Sequence, residues 1–122
     1  MTAYSRAERV GGQIQRVLSE VLTRRVKDPR LNLVTVTAVK MSADLKQAKI
    51  YFSTGGNKEK AELAHQGFAT AHGFIKRELA RELGLRYMPD LKYYYDETFD
   101  RSSRINELLK SLKTNGSDHH TP

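Results

Sequence analysis

Arg77 and Arg81 stand four residues apart in the stretch AHGFIKRELARELGLR (71–86), with Lys76 beside the first, Arg86 just beyond the second and Lys92 soon after. Residues at that spacing share one face of a helix, and guanidinium groups gathered there offer forked donors that fit phosphate oxygens. The N-terminal thirty residues repeat the bias: Arg6, Arg9, Arg16, Arg24, Arg25, Lys27 and Arg30 outweigh Glu8, Glu20 and Asp28. The chain of 122 residues carries a formal charge of +7. Clustered positive charge points to an anionic partner, and nucleic acid fits the clustering better than a membrane surface or an acidic protein. The candidate phosphate ligands are Arg9, Arg24, Arg25, Lys27, Arg30, Lys46, Lys76, Arg77, Arg81 and Arg86.

Covalent and metal chemistry find no comparable pattern. The absence of cysteine removes thiol catalysis, thiolate metal sites and disulfides together. His65 and His72 are seven apart rather than at the four-residue step of a helical zinc pair, and His119 and His120 fall in a polar tail. No serine sits in a G-x-S-x-G turn, and TGGNK (54–58) has neither the length nor the hydroxyl of a phosphate loop. Asp90, Asp96, Glu97 and Asp100 are expected to be solvated acids at a strand end rather than ligands of a divalent cation. The triplet Tyr93, Tyr94, Tyr95 invites base stacking. With period two, Tyr93 and Tyr95 share one face with Leu91 and should pack in the core, which leaves Lys92 and Tyr94 on the other face, and of the three tyrosines only Tyr94 free to touch a ligand. No catalysis, metal or cofactor is expected.

The elements that must position these groups follow from hydrophobic periodicity. Ser5 and Glu8 form a capping-box pattern, and Val10, Ile14, Val17, Leu18, Val21 and Leu22 recur at helical spacing, which predicts a first helix over about 6–26, stopped near Pro29. The runs LVTVTAVKM (33–41) and AKIYFS (48–53) read as two strands of an antiparallel hairpin joined by SADLKQ. Ala61, Leu63, Ala64, Phe68 and Ala71 mark a second helix, and Ile75, Leu79 and Leu83 a third, with Gly73 between them and Gly84 as the stop. LKYYYD (91–96) reads as a third strand, Ile105, Leu108, Leu109 and Leu112 as a short final helix, and 113–122 as a disordered tail. The result is one α+β domain of order α-β-β-α-α-β, the element order of a KH-like type II module, over residues 5–112. No run approaches the ~20 apolar residues of a membrane span, and the charged N-terminus lacks the apolar stretch of an export signal. A cytoplasmic address is expected.

Four stretches carry more than composition: ERVGGQIQRVLSEVLTRRVKDPRLNLVTVTAV (8–39), SADLKQAKIYFS (42–53), ATAHGFIKRELARELGLRYMPDLKYYYDET (69–98) and INELL (105–109). Together they resemble the ribosome-binding factor A family of bacterial small-subunit assembly factors. The most specific parts are KDPR (27–30), S-x-D-L-x-x-A (42–48) and P-D-L-x-Y-x-x-D (89–96). The resemblance implies a KH-like domain whose G-x-x-G loop is replaced by an interhelical kink, matched by Ala71, His72 and Gly73. A glycine there could end one helix and start the next at an angle. Free amides and a helix dipole would then face a phosphate beside Lys76 and Arg77. The resemblance also implies a monomer that binds the ribosomal RNA of the immature 30S subunit. It would assist late maturation and 5′-end processing of 16S rRNA, support growth in the cold, and leave through a further factor such as a late-acting GTPase. A rival reading takes the second and third helices as a helix-turn-helix of a DNA-binding regulator, although AHG is short for its turn.

Overall fold

The apolar spacing of the first segment becomes helix α1, Ala3–Arg24, in the computed structural model of the protein, which describes the backbone of residues 3–120 and the side chains of residues 6–112. Val10, Ile14, Val17, Leu18, Val21 and Leu22 are all buried on its inner face. The helix begins at Ala3, so Ser5 and Glu8, expected to mark its start, both fall within its span. Gly11 explains itself by packing: a Cβ there would stand 2.9 Å from the backbone oxygen of Val39, so α1 approaches the sheet more closely than any larger residue allows. Gly12 meets nothing within 4 Å.

The KDPR segment is a self-capped turn. Asp28 accepts a hydrogen bond from the Arg30 amide at 2.9 Å and caps a short 3-10 turn, Pro29–Leu31. Leu31 is buried against Gly67, where an added Cβ would come within 2.9 Å of its Cγ. Strands β1 (Thr35–Met41) and β2 (Gln47–Ser53) pair antiparallel as the sequence predicts, with one bulge between Val36 and Ala38. The hairpin motif is a hydrogen-bonded device: the Ser42 hydroxyl donates to Asp44 Oδ1 at 2.6 Å, which also accepts from the Lys46 amide at 3.0 Å. Leu45 is thereby held in the left-handed region, at φ 61°. Lys46 is presented at the tip.

Helix α2 runs unbroken from Lys58 to Leu83. The two helices and the kink expected at Ala71, His72 and Gly73 are one helix, and Gly73 has no positive φ. The physical reason is phase. Phe68, Ala71, Ile75 and Leu79 follow steps of three, four and four, so one apolar stripe faces the sheet across Gly73 and nothing rewards a change of direction. The left-handed turn is made at Gly84, φ 59°, whose amide donates to the Ala80 carbonyl at 3.0 Å. This crossover returns the chain to β3 (Asp90–Tyr95), which pairs parallel to β2, giving a mixed sheet of order β1-β2-β3. The order is therefore α-β-β-α-β-α.

Helices α1 and α2 cover one face of the sheet, and the core lies between them and the sheet: Ile50, Phe52, Phe68, Ile75 and Leu79 are fully buried. Tyr93 stacks on Phe68 at 4.3 Å between ring centroids and shares a hydrogen bond with His72 Nδ1 at 3.1 Å. Burial pushes the Tyr93 hydroxyl well above its ordinary pKa. Tyr93 and Tyr95 pack against the core and Tyr94 is exposed, as the alternation predicts. The terminal helix α3, Glu97–His120, is longer than the short one expected and continues past residue 113, where a disordered tail was expected to begin; 121–122 lie outside the described residues. Its first turn is fixed by acids that were expected to be solvated. Asp96 accepts from the Thr37 hydroxyl at 2.8 Å and the Phe99 amide at 3.0 Å. Asp100, buried, accepts from the amides of Thr54 and Gly55 at 3.1 and 3.3 Å. Asp100 points at backbone donors because the start of α3 and the turn after β2 meet there.

Candidate nucleic-acid interface

The ten candidate cations divide by what they touch. Arg25, at the end of α1, reaches Glu78 at 2.5 Å and Glu82 at 3.5 Å, and Arg81 turns back onto the same two carboxylates. These four side chains bolt α1 to α2. Arg30 is also engaged: its guanidinium grips Asp28 at 2.6 and 3.0 Å and reaches the Thr70 hydroxyl at 3.2 Å. The hydrogen bonds from Arg30 hold the Asp28 carboxyl below its usual range, and the same contact raises the Arg30 pKa further. Arg25, Arg30 and Arg81 are thus partly neutralised by their neighbours, which weakens them as phosphate ligands.

Arg9, Arg24, Lys27, Lys46, Lys76, Arg77 and Arg86 form no ion pair among the described residues. The structure brings Lys46 and Arg86 together. A cleft of about 590 Å³ is lined by Arg6 from α1, Lys46 from the hairpin tip, and Arg86, Tyr87 and Pro89 from the loop after α2, with two carboxylates, Asp44 and Asp90, also on its wall against these three cations. Tyr87 is 78% exposed at its edge and lies under the Arg86 guanidinium, 5.5 Å from ring to charge. A planar ring held beside cations can receive a base while the cations take the phosphates. Arg6 and Tyr87 were not among the candidates; Arg6 was visible only as one charge in a cluster, and Tyr87 carried no periodic signal.

Lys76 and Arg77 stand in the last third of α2 and do not line this cleft, and Arg77 Nη1 lies 3.6 Å from where a Cβ on Gly73 would be. Because the helix is continuous there, Lys76 and Arg77 gain no free amides and no dipole end, and the anion site expected at 71–73 does not form. The helix-turn-helix reading fails for the same reason, since it needs a turn where α2 has none. Among the described residues no group of three or more histidines and acids is placed to hold a metal ion, and no helix is long and apolar enough to cross a membrane.

Cations from separate elements, set around a small α+β core, give a domain whose surface charge is of the kind that complements a polyanion. Comparison with known proteins makes this particular. The family described as Ribosome-binding factor A matches residues 6–109, and the chain belongs to that family. It is 46% identical over 112 residues to the ribosome-binding factor A of Desulfatibacillum aliphaticivorans, covering 92% of this chain and 91% of that one. With the protein of the same name from Desulfosudis oleivorans it shares 42% identity over 118 residues, covering 97% and 92%. The fold is similar to the crystal structure of ribosome-binding factor A from Thermus thermophilus, with a TM-score of 0.63 at 28% identity over 73% of this chain and 94% of that one. Coordinates of the Thermus thermophilus factor fitted into a cryo-EM map of its 30S complex align with a TM-score of 0.60 at 28% identity, covering 72% and 92%.

Proposed function

We propose that this protein binds the immature small ribosomal subunit and assists late maturation of 16S rRNA, including its 5′-end processing and growth in the cold. It does so by binding alone, without catalysis or cofactor. One observation carries this reading within the structure: Arg6, Lys46 and Arg86 arrive from three separate elements at one cleft. Among relatives, the Thermus thermophilus protein is fitted into a 30S complex. The domain over residues 5–112 reads as KH-like of the second topology, supported by the α-β-β-α-β order and the parallel return of β3. Lacking a G-x-x-G loop, it holds folded RNA by its backbone rather than reading single-stranded sequence.

The ligands we assign to RNA are Arg9, Arg24, Lys27, Lys46, Lys76, Arg77 and Arg86, joined by Arg6. The protein acts in the cytoplasm as a monomer and leaves the particle through a further factor such as a late-acting GTPase. Sedimentation with immature small subunits across a salt series tests the reading. Four or more phosphate contacts give a slope of log K against log salt of roughly −3 or steeper. Binding that ignores salt, or no binding at low salt, would refute it.

A further inference from the structure

The face of the sheet turned away from α1 and α2 carries an arrangement that the cleft does not explain. Lys40 of β1 is the register partner of Lys49 of β2, and Lys49 is the register partner of Lys92 of β3. Three ammonium groups therefore stand in one row across all three strands, spanning about 10 Å at the usual strand spacing. All three are exposed, and none forms an ion pair among the described residues. Like charges placed directly opposite on a sheet oppose folding, so this row costs stability unless an anion lies across it.

The next row along the same face is aromatic. Tyr51 and Tyr94 are register partners, stacked with centroids 5.5 Å apart and planes inclined by 28°. Lys40 Nζ sits 5.6 Å from the centre of the Tyr51 ring, which ties the two rows together. Tyr94 keeps 41% of its surface exposed. Beside them a shallow groove of about 410 Å³ runs along Lys40, Met41, Gln47 and Lys49 to Tyr51. Asp90, two residues before Lys92 on the same face, bounds the patch at the hairpin end. A flat ring bordered by mobile cations matches the needs of an unpaired nucleotide, whose base offers a π face and whose phosphates are negative.

We propose that this open sheet face is a second RNA-contact surface, which takes a single-stranded segment with its phosphates on Lys40, Lys49 and Lys92 and one base stacked on Tyr94. The inference rests on the reading of the chain as a binder of small-subunit RNA, and it adds an unpaired segment to the folded RNA met at the cleft. Charge complementarity selects RNA over an apolar protein surface, since the row has no apolar member.

The test compares the full chain with the triple variant Lys40→Ala/Lys49→Ala/Lys92→Ala, with Tyr94→Ala and with Tyr94→Phe, each checked for an unchanged far-ultraviolet spectrum. Binding is read by sedimentation with immature small subunits and by anisotropy of a fluorescein-labelled ten-nucleotide single-stranded RNA. Three lost phosphate contacts should reduce the salt slope by about 2. Tyr94→Ala should weaken oligonucleotide binding about tenfold, the scale of one base stack, while Tyr94→Phe stays within about twofold. Ultraviolet crosslinking of the unmodified protein in the particle should join Tyr94 to RNA, which keeps the test independent of how the variants fold. If the wild type binds immature subunits and the variants match it, or if Tyr94 crosslinks to a ribosomal protein, the sheet surface is wrong and the function stands. If the wild type does not sediment with immature subunits at low salt, the function fails and this inference with it.

Discussion

Replacing Gly73 with alanine should stabilise the protein by about 1 kcal/mol, the cost of glycine in a helix interior. The structure supplies the reason that nothing offsets the gain. A Cβ at residue 73 meets only Arg77 Nη1, at 3.6 Å, which is ordinary contact with the end of a flexible side chain. Gly11 gives the contrasting case in another helix. There the new Cβ would stand 2.9 Å from the Val39 carbonyl oxygen, a backbone atom that moves only with its strand. Overpacking of that kind costs about 1–3 kcal/mol, so Gly11→Ala should come out neutral to about 2 kcal/mol less stable. Gly12→Ala, with open space around it, is the control on the same helix. Urea and thermal melts followed by circular dichroism separate the cases, since about 1 kcal/mol moves the midpoint by about 4 °C in a domain near this size. Sedimentation of Gly73→Ala with immature subunits should match the wild type, because residue 73 makes no turn. A Gly73→Ala protein less stable than the wild type by about 1 kcal/mol or more would refute the reasoning. It would mean that the backbone at 73 adopts a conformation alanine resists, and that the helix breaks there.

Three further outcomes follow from particular contacts. Asp100→Ala removes the acceptor of the Thr54 and Gly55 amides and should cost about 1–3 kcal/mol in urea melts, with Asp100→Asn in between; a neutral Asp100→Ala would show that α3 is not anchored by this side chain. Arg77→Glu should weaken sedimentation with immature subunits and leave the thermal midpoint unchanged, whereas Arg81→Glu should also lower the midpoint slightly, since Arg81 shares Glu78 with Arg25; equal melting of the two variants would contradict that division of roles. The Asp44 carboxyl is held below its ordinary 3.8 chiefly by the Ser42 hydroxyl and then by the Lys46 amide. A lowered folded pKa gives stability that is complete above the unfolded value and is lost as pH falls through the folded one. The stability difference between wild type and Asp44→Asn should therefore shrink as pH drops below about 4, and a difference constant from about pH 6 to about pH 3 would count against the hairpin device.

Several of these features are legible in the sequence alone. The alternation around Tyr93, Tyr94 and Tyr95 assigns core and surface correctly, because a strand offers only two faces and Leu91 has to take one of them. The hairpin is legible for a similar local reason: Ser42, Asp44 and Lys46 close their hydrogen bonds within a short stretch of chain. The expected kink fails because it weighs glycine as a local breaker and divides in two the stripe through Phe68, Ala71, Ile75 and Leu79. A propensity cost of about 1 kcal/mol is small beside the burial of a side chain such as Ile75 or Leu79, worth about 2 kcal/mol each, and tertiary packing decides. The acids Asp96 and Asp100 escape for the opposite reason. Their distant partners, Thr37, Thr54 and Gly55, lie 59, 46 and 45 residues away in sequence, and only the Asp96 contact with the Phe99 amide is local.

The same limit governs the binding surfaces, and it has a direction. Charge counting finds where cations are dense along the chain, yet density is also where carboxylates are close enough to occupy them, as Glu78 and Glu82 occupy Arg25 and Arg81. The open sheet face is the reverse case. Lys40 and Lys49 stand singly in the sequence and Lys92 counts there only as the last charge of a cluster, but strand register brings the three into one row with no carboxylate paired to any of them among the described residues. A cation remains available to an RNA phosphate when folding carries it away from acids, so in a small basic domain the register of the sheet is a better guide to contact than the density of charge along the chain.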